Sequence, residues 1–212
     1  MPGLFVTFEG GEGSGKSTQI ARLRERLQVW LRGTGEEPLV TREPGGTPLA
    51  EGIRTLLLDP ALAPNATSEA LLMIAARADL VARVLRPALQ SGRTVLCDRY
   101  GDSTLAYQGG GRGLDPRVLA EWNRAATGGL VPDLTFLFDV RPEVGLARRS
   151  RAGEANRLDL ESAAFHARVR ARYLELAAAE PQRFQVLDAA LPADDLERRV
   201  WAAVGSRLPA LR

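Results

Sequence analysis

The sequence predicts an α/β fold, a doubly wound parallel sheet of five strands flanked by helices, with a small lid, in one domain spanning 212 residues. Three observations lead there. Short apolar runs of strand length alternate with helical patterns along the whole chain. A glycine-rich turn joins the first strand to the first helix, at the carboxyl end of a strand, where open parallel sheets collect their ligands. Of the 28 Lys plus Arg residues all but one are arginine, and the single lysine, Lys16, lies inside that turn.

The elements follow in order. Leu4 to Phe8 alternates and ends at Glu9, as a buried strand does, and Ser17 to Leu31 reads as an amphipathic helix. Residues 33–38 are a loop, Leu39 to Arg42 a second strand, and Glu43-Pro-Gly-Gly-Thr-Pro48 a cluster of breakers. Leu49 to Leu58 is helical, and residues 59–65 form a proline-rich loop. Ser68 with Glu69 is expected to cap a long helix reaching about Leu89. Thr94 to Cys97 is a strand closing on Asp98-Arg99, and from Tyr107 the run Gln-Gly-Gly-Gly-Arg-Gly reads as a loop or hinge. Pro116 to Ala126 is helical, and Leu134 to Val140 is the clearest strand. Pro142 suits a first helical position. Residues 148–157, small, polar and rich in arginine, are expected to be mobile and to form the lid. Ala163 to Ala179, Phe184 to Leu187 and Asp194 to Arg207 complete the pattern as helix, strand and helix.

Bulk properties exclude several classes. The formal net charge is +2, and no run of five or more like charges offers a nucleic-acid surface, so none is expected as partner. Charges interrupt every helical pattern, so no membrane span is expected. The N-terminus lacks the basic start of a signal peptide. One cysteine, Cys97, cannot form an internal disulfide, which fits a reducing cytoplasm. The only histidine, His166, leaves little room for histidine-based catalysis and is expected on a helix surface. Cys97 reads as core, and Trp30, Trp122 and Trp201 read as core or interface residues.

The chemistry starts at Gly10-x4-Gly15-Lys16-Ser17. Glycines let backbone N–H groups converge on phosphate oxygens, the helix N-terminus adds a favourable dipole, and the Ser17 hydroxyl suits Mg²⁺. A lysine reaches β- and γ-phosphates on a slim stem where a planar guanidinium fits poorly. GTP switches that read guanine with Asn-Lys-x-Asp are excluded, because no second lysine exists. Asp98 ends a buried strand and suits Mg²⁺ held through water, with Arg99 beside it for an acceptor phosphate; an ordinary ion pair would leave the same trace. Arg42-Glu43-Pro44-Gly45-Gly46-Thr47 suits a second anion site, and equally a structural turn. Arg148, Arg149 and Arg151 are candidates to stabilise a transferring phosphoryl group, against the alternative of a solvated basic loop. A phosphate monoester is already largely ionised near neutral pH, with pKa about 6, so an acceptor of that kind needs no general base.

Four blocks together resemble the bacterial thymidylate kinase family: Phe8-Glu9-Gly10-Gly11-Glu12-Gly13-Ser14-Gly15-Lys16-Ser17-Thr18, Thr41 to Thr47, Asp98-Arg99-Tyr100, and Ala106-Tyr107-Gln108-Gly109. The resemblance covers nearly the whole chain. It implies the P-loop nucleoside-monophosphate-kinase-like form of the sheet and a Mg²⁺-dependent homodimer that uses ATP to phosphorylate dTMP. It implies that Gly10 to Thr18 bind ATP. Glu12 would lie near the sugar 3′-hydroxyl. Arg42, Arg77 and Arg99 would hold the dTMP phosphate or thymine, with Pro44 also in the dTMP site. Thr104 and Gln108 would lie near the base, and Tyr107 would disfavour a ribose. The family carries its catalytic arginine either in the phosphate loop, where this chain has Gly13, or in the lid; this chain looks like the lid-arginine kind. Many relatives stack a phenylalanine on thymine where this chain has Met73, a polarizable thioether without an aromatic plane. The rival reactions are phosphorylation of thymidine itself, which needs a carboxylate base such as Glu9 or Glu12, and nucleotide binding as a switch without useful turnover. Deoxynucleoside kinases typically carry Glu-Arg-Ser in place of Asp98-Arg99-Tyr100.

Overall fold

The structure, a computed structural model, describes residues 3–151 and 157–208. Its centre is a five-stranded parallel sheet in the order β2-β3-β1-β4-β5. The strands are β1 (Phe5–Glu9), β2 (Leu39–Arg42), β3 (Val95–Asp98), β4 (Leu134–Asp139) and β5 (Phe184–Asp188). Buried on both faces, β1 and β4 are nearly continuous apolar runs, as parallel strands must be when helices cover both sides. One face packs Phe8, Phe136 and Phe138 against Leu23 and Leu27 of helix α1 (Lys16–Trp30) and Val200 and Val204 of α9 (Ala193–Gly205). On the other side, Phe5 and Cys97 meet Leu80, Val81 and Leu85, while Leu137 and Phe184 meet Val169 and Tyr173.

The order of strands makes the site. The chain leaves β1 at the centre of the sheet, builds β2 and β3 to one side, then crosses to β4 on the other. β1 therefore ends at the point where the order reverses, which opens a crevice. Register brings the strand ends level: Phe8 lies beside Asp98, and Arg42 beside Asp98.

The remaining helices are α2 (Pro48–Leu58), α3 (Ala66–Leu80), α4 (Arg86–Gln90), α5 (Gly101–Thr104), α6 (Pro116–Thr127), α7 (Pro142–Arg151) and α8 (Ala163–Ala179). Several differ from the sequence expectation, each for a physical reason. The long helix begins at Ala66, not at Ser68, because the Asn65 side chain accepts the Ser68 N–H. It runs through a π-helical turn, Val81–Leu85, into α4. Pro87 has no N–H to donate and crowds the residue four before it, and the widened turn absorbs that conflict. The glycine run is not a loop: Leu105–Gly111 is π-helical. Its glycines serve close packing on α8, since a Cβ at Gly110 would lie 2.6 Å from Arg172 Cβ and one at Gly111 2.4 Å from the Phe165 ring.

His166 is buried, not on the surface, because α8 turns that face inward against Pro142 and Leu146. Cys97 is core as expected, and the three tryptophans are half-buried on helices. Within the expected mobile lid, residues 148–151 complete α7 instead. Pro142 at its start, Glu143 in its first turn and arginines in its last favour a helix there. Residues 152–156, the middle of that expected segment, lie outside the described residues.

Candidate active site

The crevice is a cavity of about 470 Å³. Its floor is the phosphate loop, from Glu12 through Thr18. Gly15 (φ 89°) turns the chain into α1, which starts with no side-chain cap and no acidic residue in its first turn. The N–H groups of that turn are thus left for an anion. Gly10 and Gly11 lie behind the loop, beside His166, and do not line the main cavity. Lys16 is buried, its ammonium donating to Gly10 O at 3.1 Å, Gly11 O at 2.8 Å and Ser14 Oγ at 3.2 Å. Burial, with the neighbouring Arg99 charge, pushes that ammonium below its ordinary value.

The strand ends bring in the next groups. Asp98 lines the cavity, and its Oδ1 is buried without a hydrogen-bond partner among the described residues. Arg99 takes φ 71°, left-handed for a non-glycine residue. That turn sends its guanidinium back over the loop, where Nη2 meets Glu12 Oε1 at 2.5 Å and Nη1 donates to Gly10 O at 3.1 Å. Burial alone would raise the Glu12 carboxyl, but the Arg99 and Lys16 charges overcome it and hold it at about 2. Tyr107, whose ring lies 5.0 Å below the Arg99 guanidinium, also donates to Glu12 Oε1 at 3.2 Å.

Arg42 reaches the cavity but is held by Glu51 of α2, Nη2 to both carboxylate oxygens at 3.0 Å. Arg77 is fully enclosed. It pairs with Glu43 at 2.6 Å and donates to Thr104 Oγ1 at 2.9 Å, Tyr100 O at 3.0 Å and Asn123 Oδ1. Pro44, Met73, Thr104 and Gln108 all line the same space, with Met73 resting on the apolar contact between α2 and α3. Arg148 and Arg149 enter from α7; Arg151, exposed at the end of that helix, does not line it. The phosphate loop and α7 dock through glycine. A Cβ at Gly13 would lie 2.0 Å from Gly145 O, and one at Gly145 2.3 Å from Glu12 O.

Sequence reasoning missed several residues here. Arg54 lines the cavity from α2 and donates to Pro44 O at 2.9 Å. Leu58, Ser103 and Leu158 line it as well. Glu51 and Glu69 are acidic partners on helix faces, and only their three-dimensional neighbours mark them out. Glu9 is different: its carboxylate accepts from Tyr100 N at 2.7 Å, Ser103 Oγ at 2.6 Å and Tyr173 Oη at 2.8 Å, and it does not line the cavity. Burial, then the Asp102 charge, raises it to about 7.

A glycine-rich loop with a buried lysine, set at the reversal point of a parallel sheet beneath converging arginines, defines a P-loop kinase that moves phosphoryl groups between small phosphorylated compounds. The chain belongs to the thymidylate kinase family, whose model matches residues 8–200. It is 55% identical over 205 residues to the thymidylate kinase of Deinococcus radiodurans, covering 97% of this chain and 98% of that protein. Against the thymidylate kinase of Thermomicrobium roseum it is 57% identical over 202 residues, covering 94% and 93%. The crystal structure of thymidylate kinase from Ehrlichia chaffeensis superposes with a TM-score of 0.79 at 32% identity, covering 97% of this chain and all of that one.

Proposed function

We propose that the protein transfers the γ-phosphoryl group of ATP to dTMP, giving dTDP and ADP, as a step toward dTTP. The observation that carries this reading is one cavity holding both a phosphate-loop lysine and the acceptor-side set Arg42, Arg77, Arg99, Thr104, Tyr107 and Gln108. Glu12 to Thr18 hold the ATP phosphates, with Lys16 on the β- and γ-groups, and the Gly10 and Gly11 carbonyls behind them hold the Lys16 ammonium. A dTMP phosphate oxygen forms the new bond to the γ-phosphorus as the bond to the bridging oxygen breaks, and ADP leaves with that electron pair. Arg42 and Arg99 hold the acceptor phosphate. Arg148 and Arg149 stabilise charge on the transferring group, with Arg151 the third candidate. Gly13 leaves no room for an arginine in the loop, in keeping with an arginine supplied from α7. Met73 packs beside the base.

Among the described residues no group of three or more metal-ligating side chains exists. An unpartnered Asp98 oxygen, in a residue that lines the same cavity as Ser17, suits a hard cation held mainly by phosphate and water, so Ser17 and Asp98 would hold Mg²⁺. Bound there, Mg²⁺ supplies charge neutralisation between donor and acceptor phosphates.

Phosphorylation of thymidine is disfavoured by two carboxylates. Glu12, held at about 2, is a feeble base toward a hydroxyl. Glu9 does not reach the cavity. No described helix is long and apolar enough to cross a membrane, and the lone buried thiol fits a reducing cytoplasm. A homodimer accords with exposed leucines Leu49 and Leu56 on α2 and Leu71 on α3. The deciding assay is ADP release from MgATP with dTMP, thymidine, dUMP, AMP or no acceptor. Stimulation by dTMP is expected; stimulation by thymidine alone, or by nothing, sinks the proposal.

A further inference from the structure

One buried carboxylate that does not line the cavity organises the wall of the acceptor pocket. Glu69, in the first turn of α3, has no solvent exposure. It accepts from Gln108 Nε2 at 2.8 Å, from Arg112 at 3.1 and 3.2 Å, and from Arg157 Nη2 at 2.5 Å. Burial alone would raise this carboxyl; the hydrogen bonds from Arg112, Gln108 and Arg157 overcome it and bring it below its ordinary value, so it stays ionised. An ionised carboxylate only accepts. Gln108 must therefore turn its amide nitrogen toward Glu69. Its Oε1, which has no hydrogen-bond partner among the described residues, is left as the atom Gln108 can offer the cavity it lines.

Three elements meet at this one carboxylate. Gln108 belongs to the π-helical segment against the cavity. Arg112 caps that segment, stacks 4.7 Å over Phe165 and also pairs with Glu161 at 2.6 Å. Arg157 donates to Leu57 O at 3.0 Å, at the end of α2, as well as to Glu69. A buried acid with three donor side chains, two from the π-helical segment and its cap and one from Arg157, is costly to desolvate, and its removal leaves those donors unmatched. A purely apolar contact would have packed the same wall without that cost. The acid contributes polarity and direction.

We propose that Glu69 is a positioning residue for the acceptor base, fixing the Gln108 side chain with Oε1 toward the pocket so that it accepts an N–H from the bound nucleotide. The proposal rests on the dTMP kinase reading. Glu69 does not line the cavity; it acts through Gln108.

The test is reciprocal. Glu69→Gln keeps the shape but lets the Gln108 amide face either way. KM for dTMP rises about tenfold, the equivalent of one hydrogen bond's directional contribution, while kcat stays within about twofold. Gln108→Glu places two carboxylates together and raises KM further. The double variant Glu69→Gln with Gln108→Glu restores an amide–carboxylate pair in the opposite order, again with an acceptor oxygen toward the cavity, and recovers most of the lost KM. A merely structural Glu69 predicts additive losses and no rescue. KM unmoved by Glu69→Gln, or a double variant no better than its worse parent, overturns the proposal. Should Glu69→Gln fail to fold, Gln108→Leu decides: an unchanged KM for dTMP overturns it. Turnover of dTMP by the unaltered protein is the reference throughout, and its absence defeats the functional reading instead.

Discussion

The docking of α7 onto the phosphate loop rests on two glycines, and the cost of adding one carbon can be worked from their geometry. Gly13 has φ 63°, and a Cβ there would lie 2.0 Å from Gly145 O and 3.2 Å from Arg148 Cβ. A left-handed alanine costs ~1–2 kcal/mol, and an overpacked contact adds ~1–3 kcal/mol. Gly13→Ala should thus lose about 2–5 kcal/mol of stability unless α7 shifts away. If α7 shifts, stability is spared, but Arg148 leaves the cavity and kcat falls instead. Gly145→Ala meets Glu12 O at 2.3 Å, yet it sits inside α7, where alanine gains about 1 kcal/mol of helix propensity over glycine. Its loss should be smaller. Because both substitutions press on one contact, the double variant should lose less than the sum. Urea unfolding gives the stabilities, and dTMP-dependent ADP release gives kcat. Gly13→Ala within about 0.5 kcal/mol of wild type and with unchanged kcat would show that the contact is not tight.

Three further perturbations separate the roles of the buried charges. Glu9, raised to about 7 by burial and Asp102, binds its proton more tightly folded than unfolded, so it makes wild-type stability fall as pH rises from 4.5 toward 7; Glu9→Gln removes this slope, and denaturant melts between about pH 5 and 8 that run parallel for both proteins would contradict it. Arg77→Met strands the enclosed Glu43 carboxylate and should cost ~3–5 kcal/mol in urea melts, whereas a loss under about 1 kcal/mol would mean that Glu43 simply takes up a proton. Lys16→Arg puts a planar guanidinium into a slot 7% exposed, and should lower turnover on the order of a hundredfold with stability little changed; near-normal kcat would remove the lysine from the chemistry.

What the sequence disclosed and what it hid divide along a physical line. The phosphate loop, Arg42 and Asp98-Arg99 were legible because each follows a strand, and parallel strands end side by side. Reading those ends needed only local pattern. Glu51, Arg54 and Glu69 were not legible, because each reaches from a helix face to a partner elsewhere in the fold, Arg42, Pro44 O and Gln108 respectively, and periodicity shows which face is polar but not what it meets. The glycine run at 109–111 misled for a related reason. Glycine marks a turn when the backbone needs it, and a tight helix contact when a neighbour does; only Arg172 and Phe165, more than fifty residues away, decide between them. His166 misled because α8 is packed on more sides than an amphipathic pattern implies.

The cavity's cations share one condition. Arg42 is held by Glu51, Arg77 by Glu43, Arg99 by Glu12, Arg148 by Ala189 O, and Lys16 by the carbonyls of its own loop. Each is therefore aimed before any phosphate arrives, and little reorganisation is left for the reaction. The carboxylates doing the aiming also limit affinity, since an entering phosphate competes with them for the same donors. Glu12 sets the balance most sharply: it neutralises Arg99 in the empty site, and with its carboxyl held at about 2 it keeps that charge across the physiological range. A site built this way favours an acceptor that brings its own two negative charges over a neutral nucleoside. That preference follows from the paired arginines themselves, independently of any contact to the base.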